Sequence, residues 1–245
     1  MNPAYERIAN QHFLYDPKIL ENVTNDLFDF AAWHRSGKVR GEAHGRGSAL
    51  FVANGAHEFV LRHYRRGGFI SKFVTDHYVW QGLPRTRAWA EWHLLQQMFE
   101  KDLPVPKPVA ARVVKHGWTY TADLLTHTLP HCRSLADHFQ KETWTNEMLY
   151  QIGQTIYRFH HAGIYHADLN AHNILVNQSG RIYLLDFDRG CRKQGNVWKK
   201  ANLSRLHRSL CKLTRENKST SFSEENWQVL LQGYKKDQNN TNIPV

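Results

Sequence analysis

The run YHADLNAHNILVNQSGRIYLLDFDRG, residues 165–190, narrows what this chain can fold into more than any other stretch. Two apolar segments suited to β-strands, ILV and IYLL, flank a turn at 177–180 and are bounded by Asp168, Asn170, Asn173, Asp186 and Asp188. A buried carboxylate without a partner is costly, so acids at the ends of such strands must meet water, a cation or a metal ion. The segment reads as a hairpin whose open end carries a polar site.

The spacing gives that site a chemistry. His166-Ala167-Asp168 followed by Asn173 matches the H-R-D-x-x-x-x-N arrangement of a phosphotransferase loop with Ala in the Arg position, and Asp186-Phe187-Asp188 is a variant of D-F-G. Moving a γ-phosphoryl group needs metal ions bridging its oxygens. Asn173 and Asp186, facing each other from the hairpin arms, are expected to hold Mg²⁺, and Asp168 to orient an acceptor hydroxyl and take its proton. The bland alternative is that these acids merely cap turns.

Weaker signals precede it in matching order. Gly45 and Gly47 in HGRGSA could bring backbone N–H groups to phosphates, although Leu50 stands where a third glycine is expected and an ordinary hairpin turn explains them as well. In VLR, Arg62 occupies the place of a phosphate-binding lysine, with a planar fork replacing a point charge. Glu91, on the following helical segment, is its expected ion-pair partner; a solvated helix face is the alternative.

The remaining chain sorts into two parts. Thr24–Ser36 reads as one helix stopped by Gly37. KVRGEAH, ALFVAN and EFVLRHY read as strands, the last two joined by Asn54-Gly55, a strong hairpin signal. Helical spacing over 85–102 ends at LPVPKP, and VAARVV and WTYTADLL supply further strands. Beyond about Thr126 the pattern turns helical, with a long helix at 145–163 and a basic C-terminal segment. The expectation is an α+β bilobal fold, a strand-rich N-lobe over 1–125 and a helix-rich C-lobe over 126–245 forming one catalytic unit around a cleft.

Lys and Arg total 32 against 22 acids, a formal charge of +10, which suits nucleic acid, an anionic membrane surface, a phosphorylated substrate or simply a basic surface. No nucleic-acid-binding module is recognisable, so that class rests on charge alone. The 3 cysteines lack C-x-x-C spacing, and the 16 histidines lack metal-site spacing, so both are read as free side chains packing core or surface. The tryptophans are read as core. No leader peptide or spanning stretch is expected, which makes a cytoplasmic protein the default.

GRGSALFV, FVLRHYRRGG, WAEWHLLQQMFEKDLPVPKPVAARV, YHADLNAHNILV and YLLDFDRG together resemble the kinase-like superfamily and, within it, the lipopolysaccharide kinases. VLRHYRRGG with DFDRG is the specific pair; aminoglycoside and choline kinases share the rest. The resemblance implies a protein-kinase-like fold, ATP and Mg²⁺ as cofactors, and Asp168 as the active-site base. It implies as acceptor the 4-hydroxyl of 3-deoxy-D-manno-octulosonic acid (Kdo) on a lipid A precursor. The setting would be peripheral, on the cytoplasmic face of a bacterial inner membrane, with no nucleic acid and no obligate protein partner. Arg65, Arg66, Arg189, Arg192 and the basic series Lys199, Lys200, Arg205, Arg208, Lys212 and Arg215 are candidates for the anionic acceptor or the membrane. A small-molecule phosphotransferase of the aminoglycoside or choline kinase type and a non-catalytic pseudokinase are the alternatives. Asp188 in place of glycine and the missing A-P-E segment speak against protein substrates.

Overall fold

Apolar residues at every second position of a strand need a cover on that face, and here the cover comes from a short N-terminal helical segment. The computed structural model describes residues 2–43, 49–65, 76–216 and 222–240, with 236–240 described by backbone alone. The protein is mixed α/β with an antiparallel sheet, and it divides into two compact units: Met1–Lys101 with Pro106–Thr128, and Asp102–Val105 with Leu129–Val245.

In the first unit the elements run β1 (Ala4–Ile8), β2 (Gln11–Tyr15), α1 (Phe30–Arg35), β3 (Val39–Ala43), β4 (Ala49–Asn54), β5 (His57–His63), β6 (Tyr78–Val79), α2 (Arg87–Phe99), β7 (Pro108–His116) and β8 (Thr119–His127). The sheet order is β1-β2-β7-β8-β5-β4-β3, with β6 also on β8. Leu50 and Val52 of β4 and Phe59 and Leu61 of β5 lie on one face, against Phe28 and Trp33. Antiparallel partners share a face, so the register Phe51↔Val60 and Ala49↔Arg62 puts Arg62 on the other side.

Three sequence expectations are corrected here. Thr24–Ser36 is not one helix but a 3₁₀ turn over Asn25–Phe28 followed by α1. Asp29 between them is extended, and its carboxylate accepts the Ala31 N–H. An aspartate that can cap a new helix competes with continuing the old one. The helix foreseen from residue 85 starts at Arg87, because Leu83–Arg85, with its proline, forms a 3₁₀ turn and Thr86 is extended. Nor are all tryptophans core: Trp118, at the tip of the β7–β8 hairpin, is 89% exposed. The hairpin β1–β2 was not foreseen. Its first strand has only partly buried or exposed residues, and its turn passes through Ala9 at φ 53.

The second unit contains β9 (Cys132–Ser134), α3 (Leu135–Gln140), α4 (Asn146–His161), β10 (Ile164–Tyr165), β11 (Ile174–Asn177), β12 (Ile182–Leu184), β13 (Cys191–Arg192), α5 (Val197–Glu216) and α6 (Glu224–Asn240). Thr145 starts α4 by accepting the Met148 N–H. The two long helices α4 and α6 cross at glycines. A Cβ on Gly153 would lie 2.0 Å from the Leu230 carbonyl oxygen, and one on Gly233 would lie 2.0 Å from that of Tyr150. No side chain fits there, so the crossing distance is set by the absence of two methyl groups. The β11–β12 hairpin turns where the Asn177 side chain accepts the N–H groups of Ser179 and Arg181.

Candidate active site

Neutral imidazole builds the polar end of this hairpin. His166 is almost wholly buried, and burial pushes its pKa down. With its proton on Nε2 it donates to the Leu185 carbonyl at 2.7 Å, and Nδ1 accepts the Asp168 N–H at 3.1 Å. One ring thus links the residue before Asp186 to the backbone of Asp168. Phe187 is fully buried, 4.6 Å from the His166 ring and 5.7 Å from Phe159 by ring centroids. It anchors the segment after β12 on which Asp186 and Asp188 sit.

The hairpin register carries through to the site. Leu185 donates its N–H to the Asn173 carbonyl at 2.9 Å, one step beyond the pair Ile174↔Leu184, which brings Asn173 and the segment entering Asp186 together. Asn170 accepts the N–H groups of His172 and Asn173, shaping the turn between Asp168 and β11. Asn173 donates Nδ2 to the Asp168 carbonyl at 2.9 Å, which leaves its Oδ1 as the atom a cation can use. Asp186 has φ 59, a left-handed conformation that aspartate tolerates better than most residues and that is often kept at functional sites.

Among the described residues no three His, Cys, Asp or Glu side chains are grouped so as to hold a metal by themselves. The amide oxygen of Asn173 and the carboxylate of Asp186 are hard oxygen donors. They suit Mg²⁺, which takes one or two protein carboxylates and the rest from phosphate and water.

Asp168 is itself paired. Arg205 of α5 donates Nη1 to Asp168 Oδ1 at 2.5 Å, with both side chains about half exposed. Arg205, one of the basic series on α5, thus meets the loop carboxylate. Asn202, Arg205 and Ser209 recur at helical spacing and meet the same loop: Asn202 bonds both backbone groups of His166, and Ser209 Oγ accepts the Ala171 N–H at 3.2 Å. Sequence reading missed this face because its polar residues lie in a run of surface-type charges; the i, i+3, i+7 recurrence was the available signal.

Behind the loop, the Tyr234 hydroxyl, its pKa pushed up to about 12 chiefly by burial, donates to His160 Nδ1 at 2.9 Å. His160 Nε2 reaches Asn202 Oδ1 at 3.4 Å, and burial drives its pKa down to about 4. The chain of bonds runs from α6 through α4 and α5 to the loop. His160 and His166 therefore pack the loop.

In the first unit, Arg62 and Glu91 meet. Arg62 Nη2 lies 2.5 Å from Glu91 Oε2, the Tyr64 hydroxyl donates to the same oxygen, and Glu91 is 3% exposed. On Arg62's side of the sheet is an open depression of about 270 Å³, lined by Arg40, Gly41, Phe51, Glu58 and Thr128 among others. Thr128 Oγ1 is buried there and has no hydrogen-bond partner among the described residues. Gly45, Gly47 and Arg66 lie outside the described residues.

Comparison with known proteins supplies independent findings. The model of the lipopolysaccharide kinase (Kdo/WaaP) family matches residues 31–234. The chain is 41% identical over 230 residues to a 3-deoxy-D-manno-octulosonic acid kinase of Photobacterium profundum, covering 94% of this chain and 97% of that one. It is 42% identical over 207 residues to a protein of the same name from Vibrio parahaemolyticus, covering 84% and 87%. A third, from Xanthomonas campestris pv. campestris, is 40% identical over 239 residues, covering 96% and 93%.

Proposed function

Because the chain belongs to the lipopolysaccharide kinase (Kdo/WaaP) family, and is accordingly an ATP-dependent kinase, we propose that it phosphorylates the 4-hydroxyl of the Kdo residue on a lipid A precursor. The observation that carries this reading is the bonded frame around Asp168, Asn173 and Asp186, in a chain whose relatives are named for that sugar acid. Asp168 accepts a hydrogen bond from the acceptor hydroxyl and takes its proton as the new O–P bond forms and the γ-phosphorus bond to ADP breaks, ADP being the leaving group. Asn173 Oδ1 and the Asp186 carboxylate would hold Mg²⁺, which when bound would supply positive charge to offset that of the nucleotide phosphates. His166 keeps its neutral ring between Leu185 and Asp168, so the base and the metal-binding carboxylate keep their spacing.

In this reading the sheet unit is the N-lobe of a bilobal kinase-like fold and the helical unit its C-lobe. Arg62, aligned by Glu91, takes the nucleotide phosphates, Gly45 and Gly47 cover them, and the depression by Thr128 takes the base. The acyl chains of the acceptor stay in the bilayer, so the enzyme works as a peripheral protein on the cytoplasmic face of the inner membrane. Among the described residues no helix is long and apolar enough to cross a membrane.

The test is mass spectrometry of a Kdo-bearing lipid A precursor incubated with the protein, ATP and Mg²⁺, with fragmentation to locate the phosphate. The expected product carries one added phosphate at position 4 of Kdo. An unmodified acceptor, or a phosphate elsewhere, would overturn the assignment.

A further inference from the structure

A guanidinium against a catalytic carboxylate is an odd choice if the carboxylate only has to accept a proton, because the positive charge stabilises its ionised form. Arg205 is nevertheless built in. Asn202 before it and Ser209 after it both bond the loop backbone, so the helix carrying Arg205 is fixed relative to Asp168. Nη1 is spent on Asp168 Oδ1. A guanidinium has five N–H donors in a planar fork, and among the described residues no other hydrogen-bond partner of this one is found.

The hydroxyl that gives its proton to Asp168 must come within hydrogen-bond reach of that carboxylate, roughly 3 Å. Whatever flanks this hydroxyl on the acceptor therefore falls close to the Arg205 fork. The relatives are named for a sugar acid, whose carboxylate sits on the ring carbon two positions from the one bearing the 4-hydroxyl. Guanidinium is the side chain best matched to a carboxylate, through two parallel N–H···O bonds.

We propose that Arg205 determines acceptor specificity: held on Asp168, its remaining donors bind the carboxylate of the sugar-acid acceptor beside the reacting hydroxyl. The inference rests on Asp168 being the base of the proposed reaction. It explains why this helical position carries a cation bonded to the loop carboxylate. It also places one recognition contact within the reacting ring rather than on the lipid.

The test is a matrix of acceptors and variants read as selectivity. Kdo methyl glycoside and its C1 carboxamide are supplied with ATP and Mg²⁺ to wild type, Arg205→Lys and Arg205→Ala, and kcat and KM are measured for each pair. Wild type is expected to favour the acid by roughly a hundredfold in kcat/KM. In Arg205→Ala that ratio should fall to about one, mainly through KM for the acid, whatever loss both acceptors share. Arg205→Lys should keep an intermediate ratio, since charge remains and the fork is lost. An acid-to-amide ratio in Arg205→Ala equal to that of wild type would overturn the proposal and leave Arg205 a positioning residue for Asp168. A wild type that turns over both acceptors equally would overturn it too. If wild type phosphorylates neither, while hydrolysing ATP, the acceptor reading itself falls and this proposal with it.

Discussion

Asn202 holds both backbone groups of His166: its Oδ1 accepts the His166 N–H at 3.3 Å and its Nδ2 donates to the His166 carbonyl at 2.7 Å. All of these atoms are buried, so Asn202→Ala would leave two main-chain groups without partners. Each such loss costs about 1–3 kcal/mol. The variant is expected to unfold at clearly lower denaturant concentration. It should also lose turnover beyond its loss of stability, because the Asp168 backbone hangs on the same imidazole. Denaturation curves and kcat measured well below the transition check both. Wild-type stability in Asn202→Ala would mean that the paired groups find other partners.

Arg62 and Glu91 form a pair with one member deeply buried. Removing only the cation leaves a buried carboxylate whose charge is no longer paired, with the Tyr64 hydroxyl still bonded to it, which costs up to about 3–5 kcal/mol when the site cannot relax. Arg62→Ala should therefore be both destabilised and more than about tenfold poorer in kcat/KM for ATP. Arg62→Lys should recover the stability better than the kinetics, since a point charge can neutralise Glu91 without supplying the fork. Unchanged ATP kinetics in Arg62→Ala would take Arg62 out of the nucleotide site.

Asp186→Asn keeps the volume and loses the charge. An amide is a poor substitute for a metal-bridging carboxylate, so Mg²⁺-dependent phosphorylation should drop by at least roughly a hundredfold. Titrating Mg²⁺ against both proteins should show that high metal does not restore the variant. Wild-type turnover at matched Mg²⁺ would sink the metal role of Asp186.

The parts of this structure that were legible from sequence are those whose partners are set by local period. The β4–β5 and β11–β12 hairpins follow from alternation around Asn-Gly and Asn-x-x-Gly turns. The contact of Arg62 with Glu91 was expected from motif order, a cation in the lysine place of the strand and an acid on the helix that follows. Illegible were features decided by competition or by distant packing. Asp29 could have continued a helix and instead caps a new one. The strand β1 exists because β2 offers it an edge, with little apolar content of its own. Arg205 is a surface-type residue by composition. It reaches Asp168 because Asn202 and Ser209 dock the same helix face on a loop 36 to 38 residues earlier in the chain.

The histidines give stability a sign in acid. His160 has its pKa lowered to about 4, first by burial and then by the Lys199 charge, against 6.5 for an unconstrained ring. The folded ring is neutral and takes the Tyr234 hydroxyl's proton in a hydrogen bond at Nδ1. Between these values the unfolded chain binds the proton and the folded one does not, so stability falls as pH falls from 6.5 towards 4. The window is worth about 3 kcal/mol for this group, at about 1.4 kcal/mol per pKa unit. Urea unfolding at pH 7 and at pH 5 should show the loss, and His160→Gln should show a smaller one. Equal pH slopes in the two proteins would show that His160 does not titrate this way.

If the protein docks at a membrane as proposed, the outer face of α5 is the expected contact. At 3.6 residues per turn, Lys200, Arg208, Lys212 and Arg215 fall on one exposed side, with Val197, 89% exposed, at the same angle. Arg205 borders that side, next to Lys212, and is engaged with Asp168. Each cation near an anionic leaflet contributes about 1 kcal/mol, so the four together suffice for reversible docking that brings the loop to a sugar standing above the headgroups. Cosedimentation with vesicles containing phosphatidylglycerol should decline steeply with salt, as the Debye length shortens from about 10 Å at 0.1 M to about 3 Å at 1 M. Replacing the four with glutamine should weaken binding by more than about tenfold while turnover of a soluble Kdo glycoside is retained, because none of them bonds the loop. Association that ignores both salt and the four substitutions would show that α5 is not the docking face, and would direct attention to apolar contacts instead.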